Sequence, residues 1–410
     1  MPRSRVLAIV QAGGAGGRLD VLTRERAKPA LPFAGAWQLV DLPLSNLAHS
    51  GITDVWLAVQ FQGSTLEEQV ANGRPWDLDR NHGGLRLLMP EQGTGTADED
   101  GFAQGNADAL YRIRDQVRAA APDEVVVLSA DHIYRLDFND VLDTHRRAGA
   151  ECTVVTTTVP PGDRAEDHAV VEHDADGRVT RFAYKPEQAS SDTIATEAFV
   201  YDREVLIEVL EELHRELTHQ ADEGDTGLGD FGEHLVPRLV ERGRTVVHAY
   251  GGYWRDLGQP HLYLRAHRDF LTDDHEVLDY PGWPILTRQP QRSPARVLDG
   301  GVVTDSMLSP GARVAGTVRR SVLGPGAVVE AGAEVEDSVV GADTVVRAGA
   351  RVAWAVLDSD CEVAAGAVIE GAGEAALDDP DLVTLVGRGS VVGRGVRLEP
   401  GSRLEPGSTA

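Results

Sequence analysis

Val6-Leu7-Ala8-Ile9-Val10-Gln11-Ala12-Gly13-Gly14-Ala15-Gly16-Gly17-Arg18-Leu19 is an apolar run, a glycine-rich turn and an arginine in direct succession. The run reads as a buried strand. Its glycines permit positive φ and let backbone N–H groups approach an anion closely. The spacing is neither the G-x-G-x-x-G of a dinucleotide fold nor a Walker loop ending in Gly-Lys-Ser/Thr, and taken alone it also fits a plain tight turn. Outward from this stretch the strand texture returns at Val55–Val59, Val125–Leu128 and Thr153–Thr157. Helix-period segments lie between, at Ala107–Ala119 and Glu204–Leu213, the latter with Val205, Leu206, Val209, Leu210 and Leu213 on one stripe. Short apolar strands alternating with helices predict an α/β fold built on a doubly wound, mostly parallel sheet.

The stretch from Pro281 to Pro294 is rich in proline and polar residues and reads as a connector. After it come Val322-Leu323-Gly324-Pro325-Gly326-Ala327-Val328-Val329, Val339-Val340-Gly341-Ala342-Asp343-Thr344-Val345-Val346 and Val356-Leu357-Asp358-Ser359-Asp360-Cys361-Glu362-Val363. Apolar residues recur about every six positions with small or polar corners, which predicts a β-helix burying one aliphatic residue per flat side. The domains expected are therefore 1–275, a linker at 276–295, and a β-helix over 296–410.

A net charge of -26 argues against non-specific binding to nucleic acid or anionic membranes. Any phosphate ligand must then be held by local charges and backbone N–H groups. Cys152 and Cys361, far apart in sequence, make neither a disulfide framework nor a zinc site. No signal peptide and no bilayer-spanning apolar run is read, so the cytoplasm is expected.

Among 39 basic residues only two are lysines, Lys28 and Lys185, and each precedes proline. A chain that has shed lysine elsewhere keeps it where a compact ammonium does what a planar guanidinium cannot. Lys28 follows Arg18 by ten residues, a pair suited to a triphosphate. Asp131 ends the apolar run Val125-Val126-Val127-Leu128-Ser129-Ala130, where open α/β sheets bind ligands. Asp256 follows Tyr253-Trp254-Arg255. Two such carboxylates suit Mg²⁺ on transferring phosphates, although either alone is more often a turn or cap residue.

Together these motifs resemble the sugar-1-phosphate nucleotidyltransferases, and specifically the ADP-glucose pyrophosphorylase (glucose-1-phosphate adenylyltransferase) family. The resemblance rests on Ala12-Gly13-Gly14-x-Gly16-x-Arg18-Leu19, Ala27-Lys28-Pro29-Ala30, Pro43-Leu44-Ser45-Asn46, Ser50-Gly51-Ile52, Asp131-His132-Ile133-Tyr134, Asp230-Phe231-Gly232, Tyr253-Trp254-Arg255-Asp256 and the hexapeptide coils. It implies a left-handed β-helix at the C-terminus. It also implies that Arg18 and Lys28 neutralise the β- and γ-phosphates of an NTP, that Asp131 and Asp256 hold Mg²⁺, and that Lys185 grips the sugar phosphate. Ala12, Gly13, Gly14 and Gly16 would line the nucleotide, Gln92 would read its base and Gly105 would pass close to it. The phosphate of the sugar-1-phosphate then attacks the α-phosphorus in line and expels pyrophosphate, with no covalent protein nucleophile.

The sugar end departs from the family pattern. Ala103 stands where the family has tyrosine, Ala169 where it has glycine, Tyr184 where it has glutamate and Ala195 where it has serine. Each lost partner for a sugar hydroxyl costs about 1–3 kcal/mol. ATP and a sugar-1-phosphate, either glucose-1-phosphate or a related sugar or cyclitol phosphate, are the expected substrates. The alternatives are the same chemistry with another base, such as guanylyl transfer to valienol 1-phosphate, or a non-catalytic regulatory subunit. Retention of Arg18, Lys28, Asp131, Lys185 and Asp256 argues against the last. His132 and Tyr134 are expected to shape the pocket wall, with His168 facing the sugar. The last histidine is His275, so the coils carry no acyl-transfer base and are expected to support a homo-oligomer, dimer or tetramer.

Overall fold

Val6–Ala12 lies at the centre of a nine-stranded sheet. A computed structural model describes residues 4–13, 16–90, 103–218, 226–271, 277–278, 280–289 and 291–410. Glu124–Ser129 and Asp54–Val59 flank the central strand in parallel, and Gly84–Leu88 extends that half. Thr193–Asp202 then runs antiparallel to Glu124–Ser129 and carries Cys152–Thr158 and Ala169–His173 antiparallel to itself. Val179–Tyr184 and Thr245–Ala249 complete the sheet. Ala8, Ile9 and Val10 are wholly buried, as a strand covered on both faces requires.

Residues group into two compact units, Met1–Gly14 with Leu42–Trp254, and Ala15–Asp41 with Arg255–Ala410. The first holds the large sheet. Its core joins Leu7, Ile9, Val125 and Val127 to Phe199, Tyr201 and the helix Arg203–Leu217. That helix starts one residue before its expected apolar stripe, where Asp202 caps it by accepting the Val205 N–H at 3.0 Å, and runs four residues past the stripe's end. The segment expected as one helix over Ala107–Ala119 is instead two, Asn106–Arg112 and Arg114–Ala120. Ile113 leaves the helical region at φ -100°, ψ 5°, and the apolar period survives the break because both halves face the same helix.

The second unit ends in a left-handed β-helix of three parallel six-stranded sheets. Its strands are only two or three residues long. Val314, Val329, Val346, Val363 and Val392 stack in register down one inner face. Val318, Val335, Val352 and Ile369 line the second, and Leu323, Val340, Leu357 and Val386 the third. All are buried, each contributing roughly 1.5–3 kcal/mol. Among the described residues, 280–289 and 291–295 hold no helix or strand.

Candidate active site

In the second unit, Arg18 and Lys28, the side chains expected at the NTP phosphates, come together. Gly16 adopts φ +66°, and a Cβ there would stand 3.0 Å from Thr23 Cγ2 and 3.3 Å from Lys28 Cβ, so only glycine lets these segments approach. Its carbonyl accepts from Leu19 N–H at 2.9 Å and from the Thr23 hydroxyl at 2.7 Å, which fixes the turn that presents Arg18. Lys28 is buried, and its ammonium donates to Asp256 Oδ1 at 3.3 Å. A buried ammonium requires such a partner. Arg18 is exposed and shares this corner. A methyl at Gly258 would lie 3.2 Å from Arg18 Nη2 and 2.9 Å from Asp256 Oδ2. Two cations and one carboxylate thus converge around a bare backbone.

The first unit carries the remaining expected residues. Ala12 ends the central strand, buried, and Gly13 follows it against Gln60, whose Nε2 would be 3.0 Å from an added Cβ. Gly14 and Gln92 lie outside the described residues. Gly105, at φ +150°, leaves no room for a Cβ, which would meet the Gly229 backbone at 2.3 Å. That contact locks two loops, since Asn106 N–H donates to Asp230 Oδ1 at 3.2 Å and Phe231 N–H to Asn106 Oδ1 at 2.6 Å. Ala103 is half-buried just before Gln104, whose N–H donates to the buried Asp108 at 2.7 Å.

Tyr184 sits opposite Ala169 in the antiparallel register. Its phenol donates to Asp230 Oδ2 at 2.8 Å, and its ring lies so close to Gly232 that a Cβ there would come within 2.2 Å. Burial, then the Asp230 carboxylate, pushes the phenol well above its usual range, so it acts only as a neutral donor. Lys185 follows at φ +43°, a conformation uncommon outside glycine and frequent at functional sites, with its ammonium 4.8 Å from the Tyr184 ring centre. Its N–H donates to the His168 carbonyl at 3.1 Å.

Asp131 accepts from the Ser129 hydroxyl and lies 3.4 Å from His132 Nε2. Glu197 approaches the same nitrogen at 3.9 Å. It arrives there through an irregularity: pairing with Cys152–Thr158 shifts between Ala195 and Phe199, placing two extra residues in the longer strand and leaving Glu197 at φ +57°. Bulges next to active sites re-aim side chains in this way. Ala195, buried, opens the bulge. Trp254 packs edge-on against both His132 and His168, at 5.0 and 5.4 Å between ring centres. Asp230 and Glu197 are the residues for which sequence reading gave no role. The Asp-Phe-Gly motif was a signal for the first, whereas nothing in the local sequence marks the bulge that delivers the second.

The family model for nucleotidyl transferases matches residues 7–273, spanning the sheet and the expected site residues of each unit. The chain belongs to the nucleotidyl transferase family. A GlmU-like C-terminal hexapeptide model matches residues 293–392, the coils of this nucleotidyl transferase. Glucose-1-phosphate adenylyltransferase of Pseudothermotoga lettingae is 34% identical over 335 residues, 81% of this chain and 76% of the relative. The protein of the same name from Thermomicrobium roseum is 36% identical over 312 residues, 75% and 70% of the two chains. That of Acetivibrio thermocellus is 31% identical over 339 residues, 82% and 77%. The enzyme is thus of the sugar-1-phosphate nucleotidyltransferase kind. No described helix is long and apolar enough to cross a membrane.

Proposed function

We propose that this nucleotidyl transferase condenses an NTP, ATP by its relatives, with a sugar-1-phosphate to give an NDP-sugar and pyrophosphate. The observation that carries this reading is the buried Lys28 ammonium held 3.3 Å from Asp256, with Arg18 at the same corner. Arg18 and Lys28 neutralise the β- and γ-phosphates as pyrophosphate departs, and Lys185 fixes the attacking phosphate. Positioning and charge neutralisation are the main contributions a protein makes to such a transfer. By the family resemblance, Asp131 and Asp256 would each offer carboxylate oxygens of the type Mg²⁺ accepts. When bound, the cation supplies neutralisation of phosphate charge. The residue roles rest on the family resemblance together with these local arrangements.

A second reading, transfer to a non-glucose substrate such as a cyclitol phosphate, with another base such as guanine, is favoured by one feature. Where relatives of this family place a carboxylate for glucose, this chain places the Tyr184 phenol, already bonded to Asp230. Assembly into a dimer or tetramer belongs to the same proposal, supported by the exposed Val297, Leu298 and Val302 at the first coil. A matrix of NTPs against sugar-1-phosphates and cyclitol phosphates, scored by pyrophosphate release, tests the readings. Turnover of ATP with glucose-1-phosphate at ordinary enzymatic efficiency removes the second; no release with any pair removes both.

A further inference from the structure

Three ligating atoms of the first unit converge on one point: an Asp131 oxygen, His132 Nε2 and a Glu197 oxygen, all within 4.8 Å of one another. The imidazole is oriented for this. His132 Nδ1 lies 3.1 Å from the Thr196 carbonyl, which can only accept, so Nδ1 carries the proton and Nε2 is directed at the carboxylates. A backbone carbonyl on the far nitrogen is how metal-binding histidines are commonly held. The ring cannot swing away, because its side chain is 4% exposed and Trp254 packs on it.

The two separations from the imidazole suit a cation. Metal to ligand bonds of about 2.0–2.2 Å put neighbouring ligand atoms roughly 3 Å apart and opposed ones a little over 4 Å apart. His132 Nε2 stands 3.4 Å from Asp131 Oδ1 and 3.9 Å from Glu197 Oε2, inside that span. The strand irregularity at 196–198 is what brings the second carboxylate into range.

We propose that Asp131, His132 and Glu197 bind one divalent cation through a mixed nitrogen and oxygen set, and that this favours Co²⁺ or Zn²⁺ over Mg²⁺. Imidazole nitrogen suits the later transition metals, whereas Mg²⁺ demands oxygen donors and keeps its waters. The inference takes from the proposed function only that Asp131 is a metal ligand, and it adds His132 and Glu197.

Co²⁺ titrated into the full-length, substrate-free protein, followed by its visible absorption, tests the site directly. One bound Co²⁺ is expected, displaced by equimolar Zn²⁺ but only by a large excess of Mg²⁺, about 100-fold or more. Glu197→Gln, a substitution on a partly exposed side chain, is expected to weaken Co²⁺ about tenfold or more with an unchanged melting temperature, and His132→Gln to shift the absorption band as nitrogen is lost. Absence of Co²⁺ binding, Mg²⁺ competing at equal concentration, or unaltered affinity in Glu197→Gln overturns the proposal. Pyrophosphate release measured with Mg²⁺ on the same preparations separates the two readings. Turnover without Co²⁺ binding defeats the metal site alone, and Co²⁺ binding without turnover on any substrate pair defeats the substrate reading alone.

Discussion

Arg26 donates to both carboxylate oxygens of Asp358, at 2.8 and 2.9 Å, from a position two residues before Lys28. Both side chains are at least nine-tenths buried, so a corner of the β-helix supplies the counterion for the segment that carries the phosphate lysine. Removing one partner leaves the other charge buried and uncompensated. Asp358→Asn is expected to destabilise the second unit by about 3–5 kcal/mol in urea unfolding, while Arg26→Met with Asp358→Leu recovers most of the loss. A double variant as unstable as the single one would show that the pair is not the origin of the effect.

Lys28 tests the phosphate corner. Lys28→Met removes a buried charge that faces Asp256, and kcat is expected to fall about 10²–10³-fold, the scale for one lost electrostatic donor in an active site. Lys28→Arg keeps the charge but replaces a compact ammonium with a wide planar group at a position that is only 7% exposed, so it should recover little. Single-turnover rates with saturating NTP read this, and full recovery in the arginine variant counts against a point-charge role.

The large sheet was legible because Val6–Val10, Val55–Val59 and Val125–Leu128 are apolar runs too short for helices, and the coils because their valines repeat at a fixed period. Arg18, Lys28 and Asp256 were legible because each sits in a motif with its own spacing. What the sequence did not reveal depends on long-range register. Glu197 reaches His132 only because pairing with Cys152–Thr158 slips between Ala195 and Phe199, and a slip leaves no local pattern. Asp358 looked like one more coil corner, since only the folded chain shows the arginine opposite it. Ile113 divides a helix whose period runs unbroken through the break.

Tyr184 and Lys185 test the sugar end. Tyr184→Phe deletes the hydroxyl that donates to Asp230 and leaves that carboxylate short of one donor, at a cost of about 1–3 kcal/mol. We expect the KM for the sugar phosphate to rise roughly tenfold, with the KM for the nucleotide unchanged. Lys185→Arg should likewise act chiefly on the sugar-phosphate KM. Initial rates with each substrate varied in turn decide this; equal effects on both KM values would place these residues elsewhere.

Asp131→Asn keeps the size of the side chain and removes its charge. Turnover is expected to vanish at any Mg²⁺ concentration, whereas loss of a merely structural bond to Ser129 would leave a measurable rate. Pyrophosphate release over a Mg²⁺ series, with circular dichroism as a control for folding, distinguishes the outcomes.

His267 sets the acid response of the second unit. Its Nδ1–H donates to the Tyr263 carbonyl at 2.8 Å, and its Nε2 accepts from Ala34 N–H at 3.1 Å, so the native ring is neutral and both nitrogens are used. Burial pushes its pKa down to about 4 from 6.5, against the smaller opposing effect of the Tyr263 carbonyl. The unfolded chain therefore binds a proton that the native state refuses, and stability, complete above pH 6.5, falls as the pH drops from 6.5 toward 4. At pH 5 this one ring costs about 2 kcal/mol relative to pH 7. Burial depresses His261 of the same unit in the same direction, adding to the slope. His267→Gln keeps a donor and an acceptor but cannot titrate. It should be less stable than the wild type at pH 7 and close to it at pH 5, in urea unfolding followed at both values. An identical pH slope in the two proteins would mean that the native imidazole is not held neutral by its two bonds.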